Sequence, residues 1–160
     1  MSRSGKITSH LLSSDPIYNS RLVTRLVNYV MKDGKKGPAY TEVYRALEII
    51  KQKTEKEPEA FLENVVNMVA PKMEVRPRRM GGASFQVPTE VRGQRKIALA
   101  LRWLIEAARK RSSRDYRHFG EKLAEELMDA ANNTGETVKK RDNVQKMAEA
   151  NRAFAHFSRF

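Results

Sequence analysis

Lys72-Met73-Glu74-Val75-Arg76-Pro77-Arg78-Arg79-Met80-Gly81-Gly82-Ala83-Ser84-Phe85-Gln86-Val87-Pro88-Thr89-Glu90-Val91 breaks an otherwise helical pattern and so decides the fold. Met73 and Val75 alternate with Lys72, Glu74 and Arg76, and Phe85 and Val87 alternate with Gln86 and Pro88. That is the two-residue period of a strand. Gly81 and Gly82, between Met80 and Ala83, supply the turn of a hairpin. Pro77 and Pro88 each remove a ladder donor, so neither strand suits the interior of a larger sheet. An isolated two-stranded ribbon is marginal in water. It either lies flat on other elements or leaves the body as an arm that a partner orders. Arg76, Arg78 and Arg79 near the tip favour the arm.

Helical stripes flank this segment on both sides. Leu22, Val23, Leu26, Val27, Val30 and Met31 recur at helical spacing until Asp33-Gly34 stops them. Gly37-Pro38 opens a second helix, faced by Val43, Tyr44, Leu47 and Ile50. Pro58 opens a third, with Phe61, Leu62, Val65, Val66, Met68 and Val69, and Pro71 closes it. A fourth spans about Arg92 to Arg111, with Ile97, Leu101, Leu104, Ile105 and Ala108 inward and Trp103 close to that stripe as packing. Ser112 or Ser113 is the expected cap of a fifth, which ends at Asn132–Gly135; its Glu121, Glu125, Glu126 and Asp129 read as a solvated face. A sixth follows from about Thr137, with Val144, Met147, Ala148 and Phe154 inward. The expected fold is mainly α: one six-helix domain over 1–160 with a protruding β-hairpin between the third and fourth helices. Residues 1–15 form a basic tail, 72–91 the hairpin arm and 156–160 a variable tail.

The 160 residues include 31 Lys and Arg against 19 Asp and Glu, a net charge of +12, and no cysteine. Thiolate zinc sites, iron–sulfur clusters and cysteine nucleophiles are therefore excluded. A surplus this large points to a polyanion, first of all nucleic acid. The charge is also blocked: residues 71–111 alone carry +8, whereas 38–70 and 112–135 are each −2. Basicity serving solubility alone has no reason to segregate in this way.

Within the basic block, Arg95, Arg102 and Arg109 are spaced seven apart and form one ridge along the fourth helix. Glu106 is the only carboxylate of that helix near the ridge. Arg92, Arg95 and Lys96 sit at the helix start, where the macrodipole disfavours cations and favours a bound phosphate. Lys35-Lys36 in the first interhelical loop, Lys139-Lys140-Arg141, and Arg3 and Lys6 in the tail are further candidate contacts. The candidate phosphate contacts are thus Arg3, Lys6, Lys35, Lys36, Arg76, Arg78, Arg79, Arg92, Arg95, Lys96, Arg102 and Arg109.

Catalytic constellations are absent from the sequence. His10, His118 and His156 are far apart, and Asp33-Gly34-Lys35-Lys36-Gly37 lacks the order of a phosphate-binding P-loop. The expectation is a non-enzymatic protein without metal or cofactor. No apolar run is long enough for a membrane span, and the first ten residues lack the apolar core of a secretory signal, so a cytoplasmic location is expected. A helical DNA-binding regulator with the fourth helix in a major groove is the second reading. A basic membrane-surface protein ranks third.

Four motifs, read together, resemble a known family. They are Asp15-Pro16 with Asp33-Gly34-Lys35-Lys36; Arg78-Arg79-Met80-Gly81-Gly82-Ala83-Ser84-Phe85-Gln86-Val87-Pro88; Ala98-Leu99-Ala100-Leu101-Arg102-Trp103-Leu104 with Ala107-Ala108-Arg109-Lys110-Arg111; and Lys139-Lys140-Arg141 with Met147-Ala148-Glu149-Ala150-Asn151-Arg152-Ala153-Phe154-Ala155-His156. In order and spacing the chain resembles small-subunit ribosomal protein seven, of bacterial or plastid type. The resemblance implies a helical body with a hairpin and an early-binding role in organising the 3′ major domain of small-subunit ribosomal RNA. It further implies a place in the subunit head beside exit-site tRNA, messenger RNA and neighbouring head proteins, in a bacterial cytosol or a plastid stroma. The candidate phosphate contacts would then be made to RNA, and Arg76, Arg78, Arg79 and the start of the fourth helix would face it, with the hairpin tip towards the exit-site tRNA. The run from Ser112 to Lys122 departs from the family pattern and is a few residues longer.

Overall fold

The computed structural model describes residues 12–159, so Arg3 and Lys6 lie outside the described residues. The element order is α1 (Arg21–Val30), α2 (Lys36–Thr54), α3 (Pro58–Val69), β1 (Met73–Met80), β2 (Ala83–Glu90), α4 (Gly93–Lys110), α5 (Phe119–Ala131), α6 (Gly135–Ala150) and a closing 3₁₀ helix (Arg152–Arg159). The mainly helical architecture with a hairpin between the third and fourth helices is as expected.

The apolar stripes read from the sequence meet in one core. Val23, Leu26, Val27, Val43, Leu47, Ile50, Leu62, Leu101 and Leu104 are fully or almost fully enclosed. α1, α3, α4 and α5 are clearly amphipathic and α2 buries a stripe from Ala39 to Ile50, and burial of these apolar sides is the main force holding them in place. α6 is mostly polar and buries only Thr137, Val138 and Ala148. α4 is the central element, in contact with α1, α3, α5 and α6. Its outward side carries the arginine ridge together with Gln94, Glu106 and Lys110, and a helix packed against four others is poorly placed to enter a DNA groove.

The N-terminal approach to α1 is tied into the body. Asp15 is buried, accepts the backbone N–H groups of Ile17 at 3.1 Å and Tyr18 at 3.0 Å, and receives the Tyr44 hydroxyl from α2 at 2.8 Å. Burial, then the hydrogen bond and charge of Asp15, push the Tyr44 hydroxyl well above its ordinary range. The described end of the segment expected as a basic tail is therefore structured.

In the hairpin, Met80 pairs with Ala83 and the register runs without a bulge to Met73 opposite Glu90. Gly81 and Gly82 both have positive φ, 56° and 87°, which a two-residue turn matched to strand twist requires at both central positions. The hairpin is neither wholly flat nor wholly free. α6 packs against both strands and the 3₁₀ helix against β2, whereas Arg79 and Gly81–Ser84 are exposed.

Three local expectations are corrected. α5 begins at Phe119, not behind Ser112 or Ser113; the Glu121 carboxylate accepts the backbone N–H groups of Arg117 at 2.9 Å and His118 at 3.3 Å, which satisfies donors at its start. α6 stops at Ala150, with Met147 half exposed, and Phe154 belongs to the 3₁₀ helix instead. Its ring lies 5.3 Å from that of Phe85, and Phe157 lies 5.6 Å from the same ring. Part of the expected variable tail thus grips the hairpin. Finally, Glu126 is not on a solvated face: it is only 1% exposed and joins Arg111 to Thr137.

Candidate nucleic-acid interface

The candidate surface is built around α4. Arg95, Arg102 and Arg109 are all exposed on one side of it, and each is oriented by a different neighbour. Arg102 lies over the Tyr29 ring of α1, 5.5 Å from its centroid, a cation–π contact that leaves the guanidinium edge available. Arg109 donates to the Val30 carbonyl at 3.2 Å, at the C-terminus of α1 where free carbonyls favour a cation. Among the described residues neither arginine has a carboxylate partner within 4 Å. Glu106, the one acid of α4 near the ridge, is taken by Lys140 of α6, which also stands over the Trp103 ring at 5.8 Å.

Two grooves continue the ridge along α1. The first, of about 410 Å³, is lined by Arg25, Asn28 and Tyr29 of α1 together with Gln94, Arg95 and Arg102 of α4. The second, of about 330 Å³, brings Arg109 together with Lys32 and Lys35 of the α1–α2 loop, beside the carboxylates Asp33 and Glu42. Lys35, expected from the sequence, and Arg25 and Lys32, which were not, therefore join the ridge arginines in a discontinuous cationic track of two grooves. Lys36 lies over the Tyr40 ring at 5.6 Å and does not line these grooves. Arg25 could have been found from its place on the polar face of α1; Lys32 could not, since only the fold brings it to Arg109.

At the hairpin the structure divides residues that sequence grouped together. Side chains alternate along a strand, so Arg76 and Arg78 share the face of Phe85 and Val87, while Arg79 points to the opposite face with Gln86 and Ser84. Arg78 is half buried and Arg79 exposed. Arg76 pairs with Glu74, two residues earlier on its own strand.

The start of α4 is less bare than its sequence suggests. Arg92 pairs with Glu90 on the surface, and Arg95 pairs with Glu74 from the hairpin. Burial works against the Glu74 charge, but hydrogen bonds from Arg95 and Arg76 outweigh it and hold the carboxyl below its usual range. Lys96 is half buried and lines a further cleft with Lys72 and Arg141. Arg141, of the Lys139-Lys140-Arg141 run, turns inward to donate to the Met68 carbonyl at 2.9 Å. Among the described residues, no group of three or more metal-ligating side chains is assembled, and no helix is long and apolar enough to cross a membrane.

This arrangement can neutralise and orient a phosphate backbone along α1 and α4; nothing in it resembles a set of reacting groups. The chain matches the family model described as ribosomal protein S7p/S5e over residues 2–152. It is 54% identical to small ribosomal subunit protein uS7 of Clostridium kluyveri, over 98% of this chain and 99% of that protein. The same-named proteins of Caldicellulosiruptor bescii and Lactobacillus delbrueckii subsp. bulgaricus are 52% and 50% identical, with the same coverage. With the fold, the cationic track and a match of this extent in agreement, the chain belongs to the ribosomal protein S7p/S5e family.

Proposed function

We propose that this protein is a structural, non-enzymatic constituent of the small ribosomal subunit that binds ribosomal RNA through the α1–α4 track. The reading extends to the 3′ major domain of that RNA in the subunit head, with the hairpin tip near exit-site tRNA and messenger and with other head proteins as neighbours. The observation that carries it is the placing of Arg25, Arg95 and Arg102 on one groove and of Lys32, Lys35 and Arg109 on a second, with the carboxylates Asp33 and Glu42 present only in the latter. RNA of this kind is recognised mainly by shape and backbone, and a rigid row of cations on packed helices suits that task. The named relatives are bacterial, in keeping with work in the cytoplasm, on the ribosome. Arg79 and the exposed turn are the hairpin groups best placed for a second RNA, while Arg92 and Lys96 extend the track to the start of α4. Arg3 and Lys6 would add tail contacts.

The test is to change Arg95, Arg102 and Arg109 singly to Gln and measure binding to a 3′-major-domain RNA fragment over a range of salt. Every phosphate that a variant no longer neutralises should lower the magnitude of the log–log salt slope by about 0.7–0.9. Unchanged affinity and slope in all three variants would return the ridge to solvent and remove the basis for the reading.

A further inference from the structure

Glu74 is out of place on a surface that attracts phosphate. Its side chain is 11% exposed, and it stands between Arg76 and Arg95, each half exposed. Burying a carboxylate costs free energy that only well-formed partners offset, and its charge repels a nucleic-acid backbone. A surface selected for positive charge alone gains by omitting it. Its geometry is nevertheless specific. Arg95 Nε lies 2.8 Å from Oε1 and 2.9 Å from Oε2, and its terminal nitrogen lies 2.8 Å from Oε2. Arg76, from the same strand face, closes on Oε1 through Nε and a terminal nitrogen.

Two guanidinium groups, one two residues and one 21 residues along the chain from Glu74, are therefore fixed on one carboxylate. A guanidinium carries five N–H donors, and these contacts use two on each arginine, so the outer donors remain for a further anion. We propose that Glu74 is a positioning residue that presents Arg76 and Arg95 as a two-guanidinium fork for a single RNA backbone phosphate. The fork lies at the seam between hairpin and α4, and Arg95 also lines the first groove of the track. Pre-ordering matters because Arg side chains otherwise lose rotamer freedom when they bind. The inference rests on the RNA-binding reading above and adds one site to it.

Glu74→Gln separates positioning from mere screening, because it adds one unit of net positive charge while removing the carboxylate. Binding of the same RNA fragment is measured below the melting temperature of each variant, which thermal unfolding defines. Positioning predicts binding about tenfold weaker despite the added charge, with the salt slope reduced by about 0.7–0.9. In an Arg76→Gln/Arg95→Gln background, Glu74→Gln should then have no further effect on binding. Equal or tighter binding by the single variant, or a full effect in the double background, would overturn the inference and leave Glu74 as a hairpin anchor. Should Glu74→Gln not fold, Glu74→Asp keeps the charge but shortens the reach, and undiminished binding by it would overturn the inference equally. The unmodified protein is the control: its failure to prefer the fragment would sink the RNA-binding reading itself.

Discussion

Gly120→Ala should destabilise the domain by about 3 kcal/mol, which lowers the melting temperature by roughly 6–12 °C at this size. Gly120 lies in the first turn of α5, where that helix crosses α2. A Cβ built there would sit 2.5 Å from the Glu42 carbonyl oxygen, 3.1 Å from Arg45 Cβ and 3.3 Å from the Ala46 nitrogen. Two of these are helix backbone, which cannot swing aside as a long side chain can. The start of α5 would have to move off α2, and the hydrogen bond from Gly120 N–H to the Glu42 carboxylate, 2.6 Å, would go with it. Gly37→Ala is the matched control: it is helical, its added Cβ meets nothing within 4 Å, and its melting temperature should hold or rise slightly. Equal melting of both variants with the parent would mean that α5 does not approach α2 this closely.

The second large effect concerns the buried carboxylate on the far side of α5. Glu126 accepts the Arg111 guanidinium at 2.6 and 2.9 Å, the Thr137 backbone N–H at 3.1 Å and the Thr137 hydroxyl at 2.6 Å. It thus joins the end of α4 to the start of α6, with Asp129 as a further partner of Arg111. Burial disfavours the Arg111 charge, but the hydrogen bonds it donates to Asp129 and Glu126 more than compensate and keep it firmly protonated. Removing the cation by Arg111→Met strands a carboxylate that is 1% exposed. The expected cost is about 3 kcal/mol, the lower end of the range for a broken buried pair, since Arg111 retains 20% exposure. In the double variant Arg111→Met/Glu126→Met no fully buried charge is stranded, although the partly exposed Asp129 loses its partner and the Thr137 donors lose their acceptor. Urea titration should therefore give a combined destabilisation at least about 1 kcal/mol smaller than the sum of the two single effects. Strict additivity would mean that the two side chains do not act as a pair.

What the sequence disclosed and what it withheld divide along the range of the interactions. The helix stripes and the hairpin alternation are local patterns, and Leu101, Leu104 and Val87 are buried as those patterns require. Glu126 misled because its spacing with Glu121, Glu125 and Asp129 looks like an acidic surface, and its partners come from two other helices. The start of α5 was legible in His118-Phe119-Gly120-Glu121, where an acid stands three residues after the cap, but a histidine cap gives a weaker cue than serine. The spacing of three between Phe154 and Phe157 suits an α-helix as well as the 3₁₀ helix that the chain forms there, so Phe154 reads from sequence as part of the sixth helix. The ridge Arg95, Arg102 and Arg109 was a matter of helical period alone. Its pairing with Glu74, its contact with Tyr29 and the arrival of Lys32 beside Arg109 needed the fold.

The measurement that bears most directly on the central claim is a binding titration at two salt concentrations. A 3′-major-domain ribosomal RNA fragment is compared with a random-sequence duplex DNA of equal charge. The cationic track predicts a strong preference for the RNA that persists at the higher salt, because a fixed row of side chains matches one backbone shape. Equal binding to both, disappearing together as salt rises, would contradict it and reduce the surface to its net charge.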